Sequence, residues 1–306
     1  IDQFADLKAT LPGCEHNWLR DLRETAIGCF SQLGFATPKV EEWKFTSLKP
    51  LTGTVFTPQT GAGARVSNKH APLYPRKTNG HRLVFVDGRC RPDLSDLGRL
   101  PAGVSITSLA ALIEEDPGLL ESHLGQVATL DGQALVALNT AFMADGAVLR
   151  LTKGAVLAEP LELLFVATHA PAPQVIHLRN VIVAEADSQA TVIETYVSPE
   201  GGSYWTNSVT EITAGARASL QHYKLQDEGL EAFHLAANQV HLSEASRYES
   251  FVLTLGSRLS RNEIHAALDG NLIDCRLFGA SLLRHRQHAD NSTWIDHLKP
   301  GSHSKE

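Results

Sequence analysis

The sequence predicts a mainly β fold whose second half stacks into a β-solenoid behind a smaller, mostly helical α/β first half. Between Asn180 and His297 the chain four times writes Asn, any residue, then Val or Ile: Asn180-Val-Ile, Asn207-Ser-Val, Asn238-Gln-Val and Asn262-Glu-Ile, with spacings of 27, 31 and 24 residues. Downstream of each Asn lies a second β-prone run, at Thr191 to Val197, Ala218 to Tyr223, Tyr248 to Leu255 and Leu272 to Phe278. Small or turn-forming residues separate the two runs: Asp187-Ser188, Ala214-Gly215, Ser243 to Ser246, Asp269-Gly270. Each unit reads as strand, turn, strand, loop. A period of roughly 20 to 50 residues marks a stacked array, in which one unit cannot bury its own apolar face without neighbours.

A β-sandwich with evenly spaced hairpins gives similar strand lengths and remains the alternative. Two details favour the solenoid. The turns between runs are rarely the two-residue Asn-Gly or Asp-Gly hairpin type, and a recurrent Asn can hydrogen-bond along a stack of coils.

The first half reads differently. Leu19, Leu22, Ala26, Cys29, Phe30 and Leu33 recur at three or four residues, so Trp18 to Leu33 is an amphipathic helix that Gly34 stops. A Gly, Pro and Thr-rich passage from Pro50 to Pro75 reads as a loop, which places a linker near residues 50–78. Arg82 to Val86 is a short strand turning at Asp87-Gly88 into Arg89 to Arg91. Ser108 caps a helix running to Glu115, Pro117-Gly118 interrupts it, and Leu119 to Leu124 resumes it. Gln133 to Phe142 puts Leu135, Leu138 and Phe142 on one helical face. Helical period then ends, and Val148 to Leu151 and Leu161 to Ala167 are short β runs. The boundary therefore falls near 143 to 147, with residues 1–143 as the N-terminal region and 144–306 as the β core.

Composition bounds the function. At 306 residues, with 43% apolar and 20% charged, the chain can bury a large core. A net charge of −7 and a pI near 6.1 give no general reason to expect nucleic acid as partner. No run of 18 apolar residues suggests a membrane span and no signal peptide is visible, though the sequence begins at Ile1 rather than Met. Cys14, Cys29, Cys90 and Cys275 lie far apart without a C-x-x-C pair, which counts against structural zinc and disulfides and suits a reducing cytoplasm. There is no G-x-x-x-x-G-K-[ST] loop and no G-x-S-x-G elbow, so nothing in the chain suggests nucleotide hydrolysis or a serine nucleophile.

Few side chains suggest chemistry. His285 and His288, near Asp290, offer imidazole and carboxylate ligands, but residues three apart on one strand face opposite sides unless a turn separates them. His297 and His303 have similar standing, and His297 reads better as a hydrogen-bonding residue within a coil. Cys275 beside Arg276 is either an activated thiol or, more simply, a buried small hydrophobe. Trp43 and Trp205 read as packing or interface anchors. No firmly bound metal or cofactor and no catalytic residue is assigned.

Four segments in order resemble a known family. Pro38-Lys-Val-Glu-Glu-Trp-Lys-Phe-Thr-Ser-Leu48 is similar to its E-x-W-K-Y-T-x-L segment. Leu83-Val-Phe-Val-Asp-Gly88, with Leu94-Ser95 and Leu100-Pro-Ala-Gly-Val104, resembles the next block. Ala144-Asp-Gly146, Lys153-Gly154 and Glu159-Pro-Leu-Glu-Leu163 resemble the core entry, and Asp290-Asn-Ser-Thr-Trp-Ile-Asp-His297 the late D-x-x-T-x-I-D-H-x-x-P segment. The family is SufB/SufD, scaffold proteins of iron–sulfur cluster assembly, and the Trp-Lys-Phe-Thr form points to its SufD side. The resemblance implies a right-handed parallel β-helix flanked by helical regions. It further implies a non-catalytic scaffold in the cytoplasm, paired with a SufB-like β-helix subunit and an ABC-type ATPase resembling SufC. An iron–sulfur cluster or iron would be handled in the assembled complex, not held firmly by this chain alone.

The family's chain continues past Ser304-Lys-Glu306 into more β-helix and a helical domain that docks the ATPase. The resemblance thus implies a C-terminally truncated chain, and the family's late interface histidine has no counterpart here. An uncapped last coil is expected to pair or aggregate, a homodimer through that end being one outcome. A polysaccharide-binding or -cleaving β-helix is the competing function. It wants a row of carboxylates with Arg or Lys on one face and usually a secretion signal, neither of which is apparent.

Overall fold

Two eight-stranded, largely parallel sheets face each other as a β-solenoid in the computed structural model, which describes residues 1–59, 79–168, 172–198 and 201–306. The first half supplies α1 (Asp2–Leu7), α2 (Asn17–Leu33), α3 (Lys49–Thr52), β1 (Thr57–Pro58), β2 (His81–Val86), β3 (Arg89–Cys90), β4 (Val104–Ser108), α4 (Leu109–Glu115), α5 (Pro117–Glu121) and α6 (Ala134–Phe142). The coils follow as pairs: β5 (Ala147–Leu151) with β6 (Leu161–Val166), β7 (Gln174–Ala184) with β8 (Gln189–Val197), and β9 (Tyr204–Ala214) with β10 (Ser219–Asp227). Then come β11 (Phe233–Ser243) with β12 (Arg247–Thr254), β13 (Leu259–Asp269) with β14 (Asp274–Ser281), and β15 (His288–His297) with β16 (His303–Lys305). Odd-numbered strands from β5 onward form the first sheet and even-numbered strands from β6 the second, so each coil contributes one strand to each.

The register fixes the rung length. Ile182, Ile212, Val240, Ala266 and Ile295 occupy one column, which gives rungs of 30, 28, 26 and 29 residues. The expected Asn ladder does not form. Asn180 stands in a column with Thr210, Asn238 and Ile264, whereas Asn207 aligns with His177, Leu235 and Arg261, and Asn262 with Ala236. Because rungs differ in length, a residue recurring in sequence drifts out of register in space.

At the corner between the two sheets Gly154 (φ 75) and Gly301 (φ 80) stand in the first and last of the six coils, and a non-glycine residue is left-handed in the other four: Asp187 (φ 64), Arg217 (φ 58), Ala245 (φ 53) and Leu272 (φ 58). Their amides bond to the next rung, Asp187 N–H to Ala216 O at 2.9 Å and Arg217 N–H to Glu244 O at 2.9 Å. These bonds offset a left-handed cost of about 1–2 kcal/mol each. Gly215 and Gly270 beside them are required by proximity, since a Cβ there would come within 2.8 Å of Ala186 N and 2.4 Å of Glu244 N.

The first half is built into the solenoid. β2 pairs parallel with β6 and extends the second sheet, while β4 pairs antiparallel with β5 and extends the first. Neither pairing is visible as a local pattern. The Pro50 to Pro75 passage is also less of a linker than expected in its first part, for α3 begins at Lys49 and Thr57–Pro58 pairs with Gln174–Val175; residues 60–78 lie outside the described residues. Other local expectations hold except one. Gly34 (φ 65) ends α2 and Ser108 Oγ accepts Ala111 N–H at 3.1 Å, but the break expected at Pro117-Gly118 falls at Asp116, which caps a helix that Pro117 starts and that ends at Glu121.

α6 was expected to show one apolar face, yet every residue from Leu135 to Phe142 is buried. It lies between α2 and the outer face of the first sheet, where Val175, Trp205, Phe233, Leu235 and Leu259 meet Phe4, Phe56, Leu135, Leu138 and Phe142. Covering each such aromatic or aliphatic side chain contributes about 1.5–3 kcal/mol. The sheet is therefore buried on both faces over its middle strands, as a covered parallel sheet requires.

Candidate functional site

Charged side chains are buried in two places, one outside the solenoid and one within. Outside, β7 and β9 project Arg179 and Glu211 toward α6. Arg179 bonds Glu211 through Nε (2.9 Å), its Nη2 lies 2.7 Å from the same carboxylate oxygen as an ion-pair contact, and its Nη1 reaches Asn139 Oδ1 at 3.3 Å and Thr140 Oγ1 at 3.2 Å. The Glu211 carboxylate also accepts the amides of Gly125, Val127 and Ala128 at 2.8–3.1 Å. Two buried charges with this many partners form a clasp between solenoid and helical cover.

A second clasp joins the two most distant family-like motifs. Arg261 on β13 is 2% exposed, lies 4.0 Å from the Trp43 ring centroid, and pairs with Glu263 (2.8 Å) and Asp290. Thr46 Oγ1 donates to Asp290 and lies 3.0 Å from His288 Nε2. The Trp-Lys-Phe-Thr segment thus straps onto coils far along the chain.

Inside, the solenoid is divided lengthwise. Strands of the first sheet begin with inward polar residues (Thr206, Ser208, Thr210; His234, Asn238; Ser260, Asn262) and end apolar (Ile212, Ala214; Val240, Leu242; Ile264, Leu268). Strands of the second sheet run the other way, from Val192, Leu220 and Tyr248 to Glu194, Lys224, Gln226 and Thr254. One half of the cross-section is therefore dry and the other polar. Toward the N-terminal coils the polar lane is closed by the stack of Phe85 on Phe165 (5.0 Å) and Phe165 on Tyr196 (4.6 Å).

Glu194 sits at the lane's centre with no exposure. It accepts Thr210 Oγ1–H at 2.9 Å and Tyr196 O–H at 2.8 Å, meets His222 Nε2 at 2.9 Å, and lies 3.5 Å from Lys224 Nζ. Burial alone pushes its carboxyl up; Lys224 and His222, with hydrogen bonds from His222 and Tyr196, outweigh burial and hold it well below the usual carboxylate range. Burial, then Glu194, drives the Tyr196 phenol far upward, so it stays a donor. Glu228 repeats the pattern with His234 Nδ1 at 2.7 Å, Thr206 at 2.8 Å and Gln226 at 2.9 Å, and is held low by His234 against its burial.

Further along the lane several groups lack any hydrogen-bond partner within the chain: Lys224 Nζ, both amide atoms of Asn238 and of Asn262, Thr254 Oγ1, Ser260 Oγ and His234 Nε2. A polar guest supplying those partners would recover about 1–3 kcal/mol per group. The lane thus offers donors and acceptors to a small polar species, flanked by the Glu194 carboxylate and the Lys224 side chain.

The sequence-derived candidates lie elsewhere. The chain turns between His285, left-handed (φ 58) and exposed, and His288, which begins β15 and contacts Thr46. His297 is exposed, with Nε2 at 3.1 Å from Ser304 Oγ. Among the described residues no three His, Cys, Asp or Glu side chains converge in a way that could hold a metal ion. Cys275 points into the dry half, and burial, then Asp274, pushes its thiol up to about 12, while Arg276 turns outward to bind Asp274 in two bonds. Glu194, Lys224 and Glu228 were not anticipated. Their signal was present as polar residues at every second position, Glu194-x-Tyr196 and His222-x-Lys224-x-Gln226, on the parity that buries Val192 and Leu220.

Comparison with known proteins aligns with this architecture. The family model for the SufBD protein N-terminal region matches residues 1–163, and that for the SUF system FeS cluster assembly SufBD core domain matches 165–306. A Synechocystis iron–sulfur cluster assembly SufBD family protein is 29% identical over 300 residues, 94% of this chain and 65% of its own length. The iron–sulfur cluster assembly protein SufD of Escherichia coli is 26% identical over 275 residues, 89% of this chain and 62% of its own. The chloroplastic protein ABCI7 of Arabidopsis thaliana is 24% identical over 253 residues, 81% and 52% respectively. The chain therefore spans just under two thirds of the length of the first two relatives.

Proposed function

The chain belongs to the SufB/SufD family, and on that premise we propose that it is a scaffold in SUF-type iron–sulfur cluster assembly, working beside a SufB-like β-solenoid subunit and a SufC-like ABC-type ATPase. Two family models lying end to end over residues 1–163 and 165–306 carry this reading. A parallel solenoid suits the role because stacked rungs give a rigid wall with a long edge to present to other subunits. Catalysis is assigned to partners. The cluster, or the iron for it, is cargo of the assembled complex, since the cysteines of this chain are scattered over Cys14, Cys29, Cys90 and Cys275. A cytoplasmic setting follows from the same reading and accords with four free thiols. Among the described residues no helix is long and apolar enough to cross a membrane. Nothing in the family match supports the polysaccharide reading.

Affinity purification of the full gene product under reducing conditions tests the proposal. A P-loop ATPase and a homologous solenoid subunit should co-purify, and deleting the gene should lower cellular iron–sulfur enzyme activities. A clean monomer together with unchanged activities would overturn the reading.

A further inference from the structure

A groove of about 530 Å³ runs along the outer face of the first sheet, between the stretch ending in Trp43, the turn at 131–134, and strands β13 and β15. Among the described residues four carboxylates line it, Glu42, Asp131, Glu263 and Asp296, and no Lys or Arg does. Glu263 is compensated by Arg261, but Glu42, Asp131 and Asp296 make no ion pair with Lys or Arg among the described residues. Between the acids the surface is apolar: Val40 is 43% exposed and Trp294 53%, with Trp43 and Leu135 beneath them. Trp294 is held in place, stacked on His265 at 6.4 Å with an interplanar angle of 2°, and its indole N–H bonds Asp296 at 3.0 Å. A second hollow of about 600 Å³ continues the groove past Gln133, His265 and Trp294, again without Lys or Arg among the described residues.

We propose that this groove docks a segment of a different protein chain that carries a large apolar side chain flanked by arginine or lysine. An ordered, half-exposed tryptophan among uncompensated carboxylates is the arrangement of an interface anchor with a polar rim. The single sign of the rim selects cationic flanks and against acidic ones. Another copy of this chain is the competing occupant, because the corner at 282–286 exposes Leu282 and Leu283 beside Arg284 and Arg286. Two features disfavour it: each copy carries a net charge of −7, and a corner-to-groove contact is heterologous, so it cannot form the two-fold dimer that most homo-oligomers adopt. The inference uses only groove geometry and charge and stands apart from the cluster-assembly reading.

The test titrates the full gene product into three fluorescein-labelled hexapeptides, Gly-Arg-Leu-Leu-Arg-Gly, Gly-Arg-Ser-Ser-Arg-Gly and Gly-Glu-Leu-Leu-Glu-Gly, followed by anisotropy. The Arg-Leu peptide should saturate, and the other two should bind at least about tenfold more weakly. The triple variant Glu42→Gln, Asp131→Asn, Asp296→Asn should weaken the Arg-Leu peptide about tenfold. Trp294→Ala should weaken it with no change in the far-ultraviolet circular dichroism. Equal binding of all three peptides, no saturable binding, or binding unaffected by either variant would overturn the proposal. So would sedimentation showing self-association that the triple variant abolishes, since the occupant would then be a second copy.

Discussion

The outer clasp and the inner lane both bury charge, and they differ in completeness. Glu211 is fully engaged by Arg179 and three loop amides, and Arg179 bonds Glu211, Asn139 and Thr140 while its Nη2 lies against Glu211 without an aligned hydrogen bond. In the lane, Glu194 is saturated while Lys224 Nζ, Asn238, Asn262, Thr254 and Ser260 have groups to spare. A buried ion pair with complete hydrogen bonding fixes one element upon another. Buried polar groups without partners in the chain do not strengthen a fold, and ordered water is their usual partner.

The largest expected effect tests the dry half. Val240→Asp places an unpaired charge among Ile212, Leu242 and Ala266 and should cost more than about 4 kcal/mol in urea denaturation. Unchanged stability would move Val240 to the surface. Glu211→Gln should cost about 3–5 kcal/mol, because Arg179 is left buried without its counter-charge. Hydrogen exchange should quicken first at Gly125, Val127 and Ala128. A loss under about 1 kcal/mol would reduce the clasp to packing.

A smaller effect depends on pH. Burial lowers His177 from 6.5 to about 3, where it stacks on Phe142 at 5.3 Å. Below 6.5 the unfolded chain takes up a proton that the folded chain refuses, so stability falls as pH drops toward 3, by up to about 1.4 kcal/mol per pH unit. His177→Phe should remove that slope, leaving it about 2 kcal/mol ahead at pH 5 before the lost Asn207 bond, worth about 1 kcal/mol, is counted. Glu194 and Glu228, both held low, add acid sensitivity below the usual carboxylate range that the variant should not change. The smallest effect has the opposite sign to the clasp's. Asn262→Leu removes two unpartnered amide groups and should be neutral or stabilising by about 1 kcal/mol. A loss above about 2 kcal/mol would mean that Asn262 is paired as tightly as Glu211.

Alternation and turn chemistry made the rungs legible: all four second β runs in the sequence lie within or overlap β8, β10, β12 and β14, and Asp187 and the 243–246 turn mark true corners. The Asn repeat misled in detail. Asn207 faces outward and bonds Leu135 O, whereas Asn238 and Asn262 face the lane in different columns. Strands β2 and β4 join the sheets through partners far away in sequence, which no local period records. Glu194 and Lys224 were readable only once the inward parity of β8 and β10 was known, since charge on a strand ordinarily means the solvent face.

A crystal structure of the chain at a resolution that orders internal solvent tests the division of the solenoid most directly. Density for ordered waters or a small polar species bonded to Asn238, Asn262, Thr254 and Lys224, with none beside Ile212, Val240 and Leu242, is the predicted result. Side chains of the lane bonded only to one another, with no solvent among them, would contradict it.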